Sequence, residues 1–155
     1  MRKYLEQQTL FRWYSIGTTF NGNTEIRVFK ELYLFTQVTS IPSTAFSNSG
    51  IAGIDIPNTI TTIGYRSFIN AKNLTDVVLP ASVTSIQGDA FYNSGSAPGW
   101  LETFTMHSTT PPTLAAANVF RNQTKCVFYV PASAVDTYKS ASVWSVFASR
   151  IEAIP

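Results

Sequence analysis

A chain of 155 residues is long enough to bury the core of one domain and too short for two, so we expect a single domain. Charged residues make up 13% of the sequence, and the formal charge of +2 is spread without a cluster, which excludes a basic footprint for nucleic acid. No apolar stretch reaches the roughly 18 residues of a membrane span, and the one cysteine excludes an internal disulfide.

The first predicted element is an N-terminal capping segment, residues 1–31. Its opening stretch, Met1–Ser15, lacks the pattern of a signal peptide, because Glu6 and Arg12 interrupt the apolar residues. The stretch is rich in aromatic residues, which predict either a cover for the coil that follows or an exposed patch that docks a partner. These aromatic residues include Phe11, Trp13 and Tyr14.

Residues 32–131 carry an internal repeat with a period of about 22 residues. The apolar positions of one unit recur in the same order in the unit after it and in the unit before it. The three aligned sets are Ile51, Ile54, Ile56, Ile60, Ile63 and Phe68; Leu74, Val77, Leu79, Val83, Ile86 and Phe91; and Leu32, Leu34, Val38, Ile41 and Phe46. This period lies in the range of roughly 20 to 29 residues expected of leucine-rich repeats. Each unit predicts a short strand, a return arm and a buried phenylalanine between stacked coils.

A further unit follows an insertion, Ser96–Trp100, and places Leu101 and Phe104 where the earlier strands stood. The last strand-like stretch is Cys126–Val130, which Pro131 closes because proline has no N–H to donate. We therefore predict about four to five short parallel strands, joined by irregular or 3-10 return arms.

Residues 132–155 predict a helical cap for the open end of the last coil. Good helix formers fill Ala132–Ala141 directly after Pro131, a residue that suits the first turn of a helix. The apolar residues that follow should cover the final coil. They are Trp144, Val146, Phe147 and Ile151.

The order of strand, proline, S-V-T-S-I and A-F resembles the BspA-like leucine-rich repeats of bacterial surface proteins. The resemblance is strongest at Leu79–Phe91 (LPASVTSIQGDAF) and Ile56–Phe68 (IPNTITTIGYRSF). The sequence departs from that pattern at Gln87, where a glycine is usual, and at the Ser96–Trp100 insertion. The resemblance implies a leucine-rich-repeat solenoid, β-rich with a C-terminal helix.

Residues for catalysis or metal binding are scarce. The single histidine, His107, could pair with Cys126 across neighbouring coils, but we favour a strand-end histidine and a buried cysteine. Two good ligands are too few for a zinc site, and no glycine-rich loop precedes a helix. We therefore predict no enzyme, no cofactor and no metal.

Outward positions between the buried strand residues predict a binding face on the concave side of a right-handed solenoid. Asp55 and Asp76, expected one position out of register, and Glu102, aligned with Thr75, would form an acidic stripe there. The full predicted face is Asp55, Thr75, Asp76, Val78, Glu102, Thr103 and Thr105. Trp100, in the inserted loop, fits an interaction role and a loop packed over the core equally well.

The resemblance implies a binding role at the cell surface or as a secreted protein, with a protein or glycan as partner. We expect adhesion or recognition through the strand face, without nucleic acid and without a membrane span. One alternative is a phage or prophage attachment protein of the virion, docked through the aromatic N-terminus. Another alternative is a C-terminal portion of a larger surface protein.

Overall fold

The computed structural model describes residues 16–95 and 99–155, so Phe11, Trp13 and Tyr14 lie outside the described residues. The strands in these ranges are β1 Val28–Phe29, β2 Ser40–Ile41, β3 Gly53–Ile54, β4 Thr62–Ile63, β5 Asp76–Leu79, β6 Ser85–Ile86, β7 Thr103–Met106, β8 Thr113–Leu114, β9 Val127–Val130 and β10 Ile151–Ala153. The helices are 3-10 helices at Glu31–Leu34, Ala117–Phe120, Ala132–Ala134 and Trp144–Arg150, and an α-helix, α1, at Val135–Ser140. In the part of the chain described here, no helix is long and apolar enough to cross a membrane.

All strand pairs are parallel, as a solenoid of stacked coils requires. One sheet has the order β5-β7-β9-β10, a second has the order β2-β4-β6-β8, and β1 pairs with β3. The predicted repeat solenoid is confirmed. The return arms, which we expected to be irregular or 3-10, also carry a second row of strands two residues long.

A column of phenylalanine side chains fills the space between the two rows of strands. Successive rings are nearly parallel, with centroids 5.2 Å apart at the first three steps and 5.6 Å at the last. This spacing is close to the distance of about 4.8 Å between neighbouring strands, because each coil contributes one ring at the same position. The column comprises Phe20, Phe46, Phe68, Phe91 and Phe120.

The first coil departs from the predicted alignment. We placed Leu34 on the buried side, but its side chain is 50% exposed and lies in the 3-10 helix Glu31–Leu34. The strand of this coil is β1, and the chain from β1 to its partner β3 is longer by three residues than the chain from β2 to its partner β4. The additional residues are accommodated by the 3-10 helix, which turns Leu34 outward and keeps Leu32 buried.

The C-terminal segment is only partly helical. Its α1 and 3-10 helices are followed by β10, which pairs with β9 so that Ile151 lies beside Phe128. Ile151 is buried over the last coil as expected, but it lies on a strand where we expected a helical cap. Trp144 is buried as expected and its Nε1 donates to the Pro112 carbonyl at 2.7 Å. The side chain of Val146 does not cover the core as we expected, since it is 62% exposed.

Candidate binding face

The register of β5, β7 and β9 determines which predicted residues meet. Asp76 pairs with Thr103, and Val78 pairs with Thr105 and, one strand further, with Tyr129. Buried and more exposed positions alternate along all three strands, so these five residues point away from the core. We call this surface, together with Asp55, Thr75 and Glu102, the strand face.

Asp76 is held within the strand face by hydroxyl groups. Thr75 Oγ1 donates to Asp76 Oδ2 at 2.7 Å, and Thr103 Oγ1 donates to Asp76 Oδ1 at 2.6 Å. Because both carboxylate oxygens accept bonds from the protein, Asp76 ties β5 to β7. Its first role is therefore structural.

Asp55 and Asp76 are two positions apart in register, where we expected one. The register between the coils of β4 and β6, continued back along each coil, aligns Asp55 with Val78. An offset of one position would place the two carboxylates on opposite faces of the sheet, whereas an offset of two places them on the same face. Both side chains are exposed and line one depression of about 450 Å³, with Val78, Pro80 and His107 also in its wall.

Glu102 occupies the opposite end of the strand face from His107. Its backbone N–H donates to the Thr75 carbonyl at 2.7 Å, as the predicted alignment of Glu102 with Thr75 requires, and its side chain is exposed. It does not line the depression of Asp55 and Asp76. The acidic residues therefore form separate points along the face instead of one continuous stripe.

Two residues that lie in register with Val78 and Thr105 are absent from the binding face that we predicted from the sequence. Tyr129 follows Thr105 in register, and Glu152 follows Tyr129 on β10. The alternation within Cys126–Val130 was sufficient to place Tyr129 outward. We did not place Glu152 on the strand face, because we predicted a helical cap for the segment that forms β10.

Trp100 is partly buried and packs against the hydrophobic core. This packing fits the interpretation of a loop residue over the core, and the interaction role of Trp100 stays a prediction because part of its side chain is exposed. The preceding residues 96–98 lie outside the described part of the chain.

His107 and Cys126 are not brought together. Phe104 pairs with Phe128, so Cys126 is level with Glu102 while His107 lies beyond the other end of β7. Five residues of strand separate the two levels, roughly 16 Å at about 3.3 Å per residue. Among the described residues, moreover, no group of three or more histidine, cysteine, aspartate or glutamate side chains could hold a metal ion.

We expect Cys126 to resist alkylation in the folded protein. The thiol is buried, and burial raises its pKa to about 12, although the nearby Arg150 guanidinium acts in the opposite direction. Only the thiolate reacts, so iodoacetamide at about pH 8 should leave the native chain unmodified and add one group in denaturant, as measured by intact mass. Equal alkylation rates in both conditions would show that the thiol is accessible.

A comparison with models of protein families identifies the repeat. A model of the BspA type leucine-rich repeat region matches residues 15–126 as six copies, in agreement with the resemblance seen in the sequence. The match begins within residues 1–31, which we assigned to a capping segment, and that division of the chain stays a prediction. No curated protein matches this chain.

Proposed function

Because the chain belongs to the BspA-type leucine-rich-repeat family, we propose that it is a non-enzymatic adhesion module that recognises a protein or glycan at a bacterial surface through its strand face. Repeats of this family are generally surface-associated binding modules. The observation that carries the proposal is the depression between neighbouring coils, whose wall holds two exposed carboxylates, Asp55 and Asp76. Extended faces of solenoids bind partners without chemistry.

The charge of the strand face favours a partner with basic groups. Among the described residues that form the wall of the depression there is no lysine or arginine, and Glu102 and Glu152 add exposed carboxylates along the neighbouring strands. The two carboxylates of the wall contrast with the net charge of +2 of the whole chain, and one exposed cation, Lys30, lies next to Asp55 where the register of β1 with β3 continues. Complementary charge speeds association and excludes partners of the same sign.

Asp55 differs from Asp76 in its availability. Within the described ranges its carboxylate makes no hydrogen bond and no ion pair, whereas Asp76 is occupied by two threonine hydroxyls. We therefore assign the primary contact to Asp55, with Glu102 as a second contact.

We expect the double substitution Asp55→Lys and Glu102→Lys to abolish capture of a partner from mucosal and extracellular-matrix extract. A partner identified by mass spectrometry from the unmodified protein is then titrated against both proteins, and we expect at least a tenfold loss of affinity, about 1.4 kcal/mol. Asp76 is left unchanged because a lysine at this position would remove the hydrogen bond that joins β5 to β7.

The control carries the same change of charge away from the strand face. Glu25 precedes β1 and Asp136 lies on α1, both side chains are exposed, and Glu25→Lys with Asp136→Lys should leave the affinity unchanged. Equal losses in the two double variants would indicate a general effect of charge and contradict recognition by the strand face.

A further inference from the structure

A second cavity, of about 370 Å³, lies where the turn before β9 meets the 3-10 helix Trp144–Arg150. The 3-10 helix Ala117–Phe120 and the turn after it line one side, and Phe147 and Arg150 line the other. This is the end of the strands at which Cys126 lies, opposite to His107. The cavity shares no lining residue with the depression of the strand face.

The charge of this cavity is positive. Arg121 and Arg150 both line it, and no aspartate or glutamate is among the described residues of its wall. Arg150 Nη1 donates to the carbonyls of Gln123 and Cys126, at 2.6 and 3.0 Å, and its guanidinium lies over the ring of Phe147 at 5.4 Å from the centroid. No carboxylate lies within 4.0 Å of Arg150 in the described part of the chain, so its charge has no counterion there.

Arg121 is only loosely paired. Its Nη2 is 3.6 Å from Asp89 Oδ1, and its side chain is 51% exposed. Asp89 accepts hydrogen bonds from Arg66, whose Nε and Nη2 are both 3.3 Å from Oδ2, whereas its contact with Arg121 is an ion pair without a hydrogen bond. One carboxylate is thus shared between two guanidinium groups, and the pair keeps an excess of positive charge.

The remaining lining supplies a hydrogen-bond donor and an apolar floor. Asn118 Oδ1 is buried without a hydrogen-bond partner, and Asn118 Nδ2 makes no hydrogen bond to any described residue, so a donor is free at this wall. The floor is formed by the rings of Phe120 and Phe147, which meet edge to face with centroids 5.7 Å apart.

From these contacts we propose that this cavity binds a carboxylate carried on an apolar group, as at the hydrophobic C-terminal residue of a peptide. Guanidinium groups recognise carboxylates by charge-assisted, often bidentate, hydrogen bonds. An apolar floor with a few polar groups at the rim is the usual arrangement of a ligand pocket. Arg121 and Asn118 contact the carboxylate, and the apolar group lies on Phe120 and Phe147.

The test uses N-acetylphenylalanine and its C-terminal amide as probes, titrated into the isotope-labelled protein and followed by NMR. We expect the acid to shift the amide signals of residues around the cavity, Thr124 and Phe147 among them, and the uncharged amide to shift them at least about tenfold more weakly. Equal binding of the two probes, or no shift up to about 10 mM of the acid, would overturn the proposal.

Arg66 provides a matched control for Arg121. Both arginines pair with Asp89, both lie over the ring of a neighbouring tyrosine, and both are about half exposed, but only Arg121 lines the cavity. Arg121→Gln should weaken binding of the acid at least about tenfold and Arg66→Gln should not. Equal effects of the two substitutions would contradict a site at this cavity.

A further comparison separates a peptide from a small organic acid as the source of the carboxylate. The tripeptide Gly-Gly-Phe with a free carboxylate has the same terminal group as N-acetylphenylalanine and a longer peptide backbone. Tighter binding of the tripeptide would indicate a peptide terminus as the natural ligand. Tighter binding of the small acid would indicate a free carboxylic acid, and both outcomes support the site.

Discussion

Truncation of Phe91 to alanine is expected to lower the free energy of unfolding by about 3 to 5 kcal/mol. The ring lies in the interior of the phenylalanine column, between Phe68 at 5.2 Å and Phe120 at 5.6 Å, and Phe104 packs against its edge at 5.0 Å. Alanine removes these contacts and leaves a cavity that neighbouring coils cannot close, because their spacing is set by parallel strand pairing. Urea denaturation followed by tryptophan fluorescence measures the change, since Trp144 is buried in the native state.

Phe20 provides the control, because it occupies the end of the same column and is only partly buried. Phe20→Ala should therefore cost less than half as much as Phe91→Ala. A solenoid can lose an end coil without unfolding the rest, so a change in the slope of the denaturation curve should accompany Phe20→Ala and not Phe91→Ala. Equal losses at the two positions would show that the column does not carry the stability we assign to it.

The sequence predicted this column because a buried residue in a repeat must recur at the period of the coil. Phe46, Phe68 and Phe91 recur at that period and were readable directly. Phe20 was not, since the first coil contains three additional residues that break the period before β3. The second row of strands was also hidden, because two residues are too few to show an alternating pattern.

The sequence was sufficient to predict which residues form the strand face, but not which hydrogen bonds join them. Alternation within β5 and β7 was sufficient to place Val78, Thr103 and Thr105 outward. The bond from Thr103 to Asp76 joins residues 27 positions apart across an insertion, so no local pattern could reveal it. The second cavity was not predictable from the sequence either. It forms where a turn meets the C-terminal cap, and these two segments are separated by roughly one coil of chain.

Substitution of Gln123 by methionine is expected to lower the free energy of unfolding by about 2 to 5 kcal/mol. In the sequence this glutamine reads as part of a polar turn, yet its side chain is 1% exposed. Its Nε2 donates to the Phe91 carbonyl at 2.8 Å, and its Oε1 accepts from the Leu101 N–H at 3.1 Å. Methionine has a similar volume and provides neither bond, so a backbone acceptor and a backbone donor would be buried without partners.

Gln37→Met is the matched control, because Gln37 is exposed and its replacement should change stability by no more than about 0.5 kcal/mol. Both variants are compared with the parent protein by urea denaturation. A loss at Gln123 as small as that at Gln37 would mean that water replaces the amide between the two coils. The expected larger loss would mean instead that the Gln123 side chain supplies two hydrogen bonds that strand pairing cannot make where the insertion separates Phe91 from Leu101. These two bonds would then be what holds the coils together at the longest coil of the solenoid.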